Sequence, residues 1–150
     1  MVLKFLRLSS FCSLIVASSF GADRESVIPR WEPERRLTAD PGVSLLTYNF
    51  ARSMAADEAG RIHIVWYDTR EGSPQIYYKR SADGGVSWGP DTRLSESAAP
   101  SEHPAIAVLG PAVLVVWHGM RPGGLDIFFK RSTDGGITWQ PAAALTQGGT

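Results

Sequence analysis

Two copies of one eight-residue pattern constrain the fold of this chain more than any other feature. The first copy runs from Ser81 to Trp88 and the second from Ser132 to Trp139, and both fit Ser-x-Asp-Gly-Gly-x-(Ser/Thr)-Trp. The copies lie 51 residues apart. A fixed period of this size is typical of repeat architectures, in which each repeat forms one small structural unit.

The repeat extends well beyond this pattern. Residues 61–95 align with residues 112–146 without a gap, and 14 of these 35 positions carry identical residues. A third, partial copy lies upstream, where Trp31, Pro33 and Leu37 repeat the spacing found at the end of both complete copies. The duplication therefore predicts at least two similar units.

Composition and charge narrow the class of protein. The chain has 15 glycines and 10 prolines, which favours a turn-rich β protein. Its formal net charge is zero, so it shows no electrostatic sign of binding nucleic acid or an anionic membrane. The single cysteine, Cys12, allows no intrachain disulfide.

Residues 1–22 are predicted to form a signal peptide, with Lys4 and Arg7 as a short basic start before the apolar stretch 11–17. This stretch is too short to span a bilayer, and a frayed segment or a buried strand is the alternative. Small residues near Ser19 and Gly21 offer cleavage sites. The remaining residues, 23–150, are expected to be secreted or periplasmic, without a membrane span.

Each repeat is predicted to contain four short strands separated by turn signals. The strands are predicted at 53–57, 61–67, 75–80 and 92–95, and again at 104–108, 112–118, 126–131 and 143–146. The second strand of each repeat is a nearly continuous apolar run, which favours strands covered on both faces.

Four antiparallel strands per period, covered on both faces, predict the blades of a β-propeller. The chain is thus predicted to be all-β, with one outer strand at about 31–38 and blades at about 50–95 and about 102–146. A β-sandwich of two duplicated halves is the alternative.

The eight-residue pattern fits a tight turn between the third and fourth strands. Its glycines permit positive φ, and its aspartates can accept backbone N–H groups of the same turn. Structural roles are assigned to Ser81, Asp83, Gly85, Trp88, Ser132, Asp134, Gly136 and Trp139. Each turn offers one carboxylate and one hydroxyl, whereas calcium takes roughly six to eight oxygen ligands, so no metal is predicted there.

This pattern resembles the Asp box, or BNR repeat, of the sialidase superfamily of β-propellers. The wider segments "IYYKRSADGGVSW" and "IFFKRSTDGGITW" are similar to that family too, and the resemblance covers residues 31–146. It implies a six-bladed propeller, of which this chain holds two blades and one outer strand. The rest of the ring would then come from a longer chain or from other subunits.

The resemblance also implies what a catalytic site would need: three arginines for a substrate carboxylate, an aspartate as acid/base, and a tyrosine nucleophile backed by a glutamate. The nearest candidates are Arg52, which keeps only the arginine of an Arg-Ile-Pro motif, and Asp68, whose repeat partner is Gly119. The structural alternatives are a surface or strand-pairing role for Arg52 and a turn cap at Asp68. The other catalytic residues would lie beyond Thr150.

The remaining polar and aromatic residues are interpreted as structural. No metal-ligand spacing links the three histidines, His63, His103 and His118, and no cofactor motif is found, so neither a metal nor a cofactor is predicted. Three strand tyrosines are interpreted as core residues or as platforms for sugar stacking: Tyr67, Tyr77 and Tyr78.

Two functions from different classes follow from the resemblance. The first is a non-catalytic, exported propeller that binds glycans or extracellular proteins. The second is an exo-α-sialidase or related glycoside hydrolase with its catalytic residues downstream, so enzymatic activity stays open. A short chain that assembles a ring from several subunits is a third hypothesis.

Overall fold

The computed structural model describes the backbone of residues 2–3 and, with side chains, residues 32–47 and 52–147. The strands in these ranges are β1 (Val2–Leu3), β2 (Arg35–Arg36), β3 (Ser44–Leu45), β4 (Met54–Ala56), β5 (Ile62–Asp68), β6 (Gln75–Ser81), β7 (Thr92–Arg93), β8 (Ser101–Leu109), β9 (Ala112–Arg121), β10 (Gly124–Ser132) and β11 (Ala143–Ala144). All their pairings are antiparallel, and no helix occurs in the described ranges. The all-β prediction is therefore confirmed.

The N-terminal part of the chain is described only in places. Most of the predicted signal peptide, and Trp31, lie outside the described residues. Of the predicted outer strand at about 31–38, only Arg35–Arg36 forms a strand, and it pairs with Val2–Leu3. None of the described residues forms a helix long and apolar enough to cross a membrane.

The first sheet contains β3 to β7, in the order β3-β5-β6-β7, with β4 also paired to β5. Because β6 pairs with β5 along its whole length, β3 and β4 share the other edge of β5. Ser44 pairs with Asp68, and Met54 pairs with Ile64. The strand predicted at 53–57 is present as β4, whereas β3 was missed because two residues are too short to show a periodic pattern.

The second sheet contains β8 to β11 in the order β11-β10-β9-β8. Its first strand starts three residues before the predicted 104–108 segment. The pairing of β8 with β9 shifts register between Glu102 and Ala105, and His103 has a positive φ of 53° within this bulge. Bulges of this kind re-aim side chains at the ends of sheets.

The two sheets pack face to face around one hydrophobic cluster. The first sheet contributes Val65, Tyr67, Ile76, Tyr78 and Leu94, and the second contributes Ile106, Val113, Val115 and Trp117. Side chains that alternate with these on the first sheet point to its other face, where Ile64, Trp66 and Tyr77 cover Leu37. Both faces of the first sheet are thus buried, as its apolar runs predict.

Equivalent lysines tie each sheet to the segment before it. Lys79 donates to the backbone carbonyl of Leu37 at 2.9 Å, and Lys130 donates to that of Leu94 at 3.1 Å. Lys79 and Lys130 occupy the same position in the two repeats, as do Leu37 and Leu94 in the partial and first complete repeats. The segment around Leu37 therefore packs on the first sheet. The segment around Leu94, at the end of the first sheet, packs on the second sheet in the same way.

Candidate functional site

The first Asp-box-like turn is closed by its own side chains. The Ser81 hydroxyl donates to Asp83 Oδ1 and accepts the Gly85 N–H, each at 2.7 Å. The Asp83 carboxylate also accepts the Ser87 N–H at 2.8 Å and the Ser87 hydroxyl at 2.5 Å. These hydrogen bonds from Ser87 lower the pKa of Asp83 to about 2, so the carboxylate is charged at neutral pH.

The second turn repeats this network and adds a hydrogen bond from the Ile137 N–H to Asp134 at 3.0 Å. Ser132 donates to Asp134 at 2.7 Å and accepts the Gly136 N–H at 2.8 Å, while Thr138 takes the place of Ser87. Hydrogen bonds from the Thr138 side chain and backbone hold the pKa of Asp134 well below its ordinary value. Because both carboxylates are used within their own turns, their geometry supports a structural role.

The tryptophans that end these turns pack toward the preceding unit. Trp139 meets the Tyr78 ring edge-on, with ring centroids 4.9 Å apart. Trp88 packs against the cluster that contains Leu37 and Trp66. Each turn therefore stabilises the stacking of its own unit on the one before it.

Asp68, the acid/base candidate, lies fully buried at the end of β5. Its carboxylate accepts hydrogen bonds from the Ser44 hydroxyl, the Trp66 indole and the Arg70 backbone and guanidinium, at 2.7 to 3.3 Å. Burial alone would raise the pKa of Asp68, but the hydrogen bonds from Arg70 and Ser44 outweigh it and lower the pKa to about 2. A general acid needs a pKa near the working pH, so this carboxylate is poorly suited to donate a proton.

The surroundings of Asp68 form an extended ion-pair network. Arg70 also contacts Asp91 at 2.9 Å, and Lys79 Nζ forms an ion pair with Asp91 at 2.6 Å. The Arg70 guanidinium lies 4.1 Å from the centroid of the Tyr77 ring, at cation–π distance. Both terminal nitrogens of Arg70 are thereby used in contacts within the first sheet.

Arg52, the candidate for carboxylate binding, is exposed just before β4. Its backbone carbonyl accepts the Ile106 N–H at 2.8 Å, which links the two sheets. Among the described residues, no hydrogen bond or ion pair joins Arg52 to Asp68. The two candidates are thus not brought together into one site here.

The strand tyrosines belong to the core. Tyr67, Tyr77 and Tyr78 are each at most 5% exposed, which leaves no ring face open for a sugar. The Tyr77 hydroxyl donates to Glu71 at 2.5 Å, and Tyr78 Oη lies 2.7 Å from His63 Nδ1. Of the two interpretations of these residues, the structure favours core packing over sugar stacking.

A group of polar side chains that the sequence analysis did not link lies at the opposite end of the second sheet from its Asp-box-like turn. One donor atom each from Glu102, His103 and His118 lies within 4.8 Å of the other two. The imidazoles of His103 and His118 stack with centroids 4.8 Å apart and an angle of 15° between the rings. Burial and the neighbouring His103 lower the pKa of His118, against the opposing effect of Glu102.

An open pocket of about 530 Å³ adjoins these residues. It is lined by His103, Val116, Trp117, His118, Leu125, Asp126 and Ile127. His118 lies five positions along β9 from Val113, the partner of Ser132, and is therefore about 17 Å from the start of that turn. Polar groups beside apolar walls in one concavity are the usual composition of a small-molecule site.

Strand pairing, rather than sequence spacing, creates this group. Glu102 pairs directly with His118 across β8 and β9, although 16 positions separate them in the chain. The available signal was a Glu-His pair just before one predicted strand and a histidine at the end of the next. It could be read only after the register of the hairpin was known.

No protein-family model matches this sequence, and no curated protein matches it either. The functional interpretation therefore depends on the sequence pattern and on the geometry described above.

Proposed function

We propose that this chain is part of an exported Asp-box β-propeller of the sialidase superfamily, and that it serves as a non-catalytic scaffold that binds glycans. The main support is the equivalence of contacts between the repeats. Leu37 and Leu94 accept a lysine in the same way, and both Asp-box-like turns send a tryptophan toward the preceding unit.

The outer face of the second sheet, which points away from the first sheet, is apolar, and this supports a further sheet packed on it. Ile127 and Leu145 are 41% and 60% exposed there, whereas their repeat equivalents Ile76 and Leu94 are fully buried against the second sheet. In a propeller, the sheet formed by the next repeat packs on this face. An apolar sheet face of this kind otherwise remains in water at a cost in free energy.

The candidate catalytic residues favour binding over hydrolysis. Asp68 is buried in an ion pair with Arg70, and Arg52 is exposed and not joined to it among the residues described. The pocket beside Trp117 shares Ile127 with this outer face, so the next sheet would form its remaining wall; its volume lies within the range of roughly 300–1,000 Å³ that small-molecule sites occupy. Its rim carries His103 and His118, whose ring nitrogens can exchange hydrogen bonds with sugar hydroxyls.

The proposal is tested by incubating the purified chain with a panel of sialylated and neutral oligosaccharides, including a fluorogenic sialoside. Binding is followed by NMR and hydrolysis by fluorescence. We expect binding without hydrolysis, weakened by Leu125→Arg at the pocket and unchanged by Val86→Arg, an exposed residue of the first turn. Hydrolysis that disappears in Asp68→Asn would favour the exo-α-sialidase alternative, and absence of binding to every glycan would reject the glycan scaffold.

A further inference from the structure

The Glu102–His103–His118 group brings together the ligand types that late first-row divalent metals prefer. Imidazole nitrogen and carboxylate oxygen are both common zinc ligands, and the group supplies two of the first and one of the second. All three residues are half-buried, and His103 and His118 line an open pocket, so an ion and its water can reach the group. Three protein ligands with one position left for water is the usual pattern of an open zinc site.

The backbone explains why three ligands converge here. In a regular strand, the side chains of Glu102 and His103 would point to opposite faces of the sheet. The bulge that starts at Glu102, with His103 at a φ of 53°, interrupts this alternation. Both side chains therefore come within reach of His118 on the paired strand.

We propose that Glu102, His103 and His118 bind one divalent transition-metal ion of the zinc class. Around a tetrahedral zinc ion the donor atoms lie about 3.3 Å apart, so the group must contract by roughly 1.5 Å at most. An ion bound by both imidazoles lies in the plane of each ring. Binding must therefore open the parallel stack of His103 and His118, and the pocket beside His118 gives that ring room to turn.

This inference does not depend on the glycan-binding proposal, since it concerns the metal alone. The test is calorimetric titration of Zn²⁺ into the full chain, purified without a polyhistidine tag. We expect one ion per chain. Glu102→Gln and His118→Gln should each weaken binding by about tenfold or more. Glu58→Gln, an exposed carboxyl in the turn between β4 and β5, is the control and should leave the affinity unchanged.

A second measurement covers the case in which a ligand variant folds poorly. The chain has three histidines, so NMR spectra of the imidazole rings resolve three sets of signals. Zn²⁺ should shift the signals of His103 and His118 and leave those of His63, which is fully buried beside Tyr78. Equal shifts of all three, no shifts at all, or undiminished affinity in both Gln variants would each overturn the proposal.

Discussion

The Tyr78 hydroxyl occupies the space that a side chain at Gly136 would need. A Cβ at Gly136 would overlap Tyr78 Oη and lie 2.6 Å from its Cζ, and Gly136 itself has a φ of 81°. The glycine of the second turn is thus required twice, for its backbone conformation and for the approach of the first sheet. One atom-level contact couples the turn to the interface between the sheets.

Gly136→Ala should therefore lower the free energy of unfolding by about 2–5 kcal/mol, the combined cost of a left-handed alanine and of overpacking. Gly84→Ala is the matched control, because Gly84 has a φ of 69° and nothing within 4 Å of the added Cβ. It should cost only about 1–2 kcal/mol. Urea denaturation measures both, and equal losses would contradict the assigned role of the Tyr78 contact.

The turn carboxylates should make stability depend on pH in the acid range. The pKa of Asp83 falls from an ordinary 3.8 to about 2 on folding, so its contribution is present above about pH 4 and is lost as the pH falls toward 2. Asp134 acts in the same direction. The double variant Asp83→Asn/Asp134→Asn should unfold at a lower Tm at neutral pH. Its Tm should also fall less than that of the parent as the pH is lowered from about 4 to 2.

Thermal unfolding followed by circular dichroism from neutral pH to about pH 2 provides this measurement. Asp68 is kept in both proteins, because its pKa is also about 2 and its titration falls in the same window. If the Tm of the double variant fell as steeply with decreasing pH as that of the parent, the turn carboxylates would not be the groups that titrate.

Asp68→Asn should destabilise the chain by about 1–3 kcal/mol, because it removes the buried carboxylate that accepts from Ser44, Trp66 and Arg70. Asp91→Asn is the control, since Asp91 contacts the same arginine from a more exposed position and should cost about 0–1 kcal/mol. Chemical denaturation at neutral pH compares the two. A stable Asp68→Asn variant would restore Asp68 as a candidate for a role other than structure.

The sequence predicts the strands well because the repeat shows each of them twice. The apolar runs that became β5 and β9 and the glycine-rich turns after β6 and β10 carry strong local signals. The site was harder to predict, because it depends on register and on a bulge. His103 and His118 meet only through the pairing of β8 with β9, and a positive φ at a histidine has no signature in the sequence.

Asp68 of the first repeat is replaced by Gly119 in the second, yet both repeats keep an arginine–carboxylate ion pair. Arg70, in the turn after β5, pairs with Asp68 at the end of β5, whereas its equivalent, Arg121, pairs with Asp126 across the β9–β10 hairpin. The arginine recurs, but its carboxylate partner has moved to the neighbouring strand. Both sheets therefore keep an ion pair at the end opposite their Asp-box-like turns, which a comparison of aligned positions alone does not show.

Ile76 and Ile127 offer a matched test of the outer face of the second sheet, since they occupy the same position in the two repeats. Ile76→Glu would bury a charge between the sheets and should cost more than about 4 kcal/mol, whereas Ile127→Glu on the exposed face should change the free energy of unfolding by about 0.5 kcal/mol or less. Urea denaturation gives both values, and sedimentation velocity reports whether copies associate. Equal costs, together with association that Ile127→Glu abolishes, would mean that a second copy covers this face. A small cost with a monomeric chain leaves the face available to the next sheet of the proposed propeller.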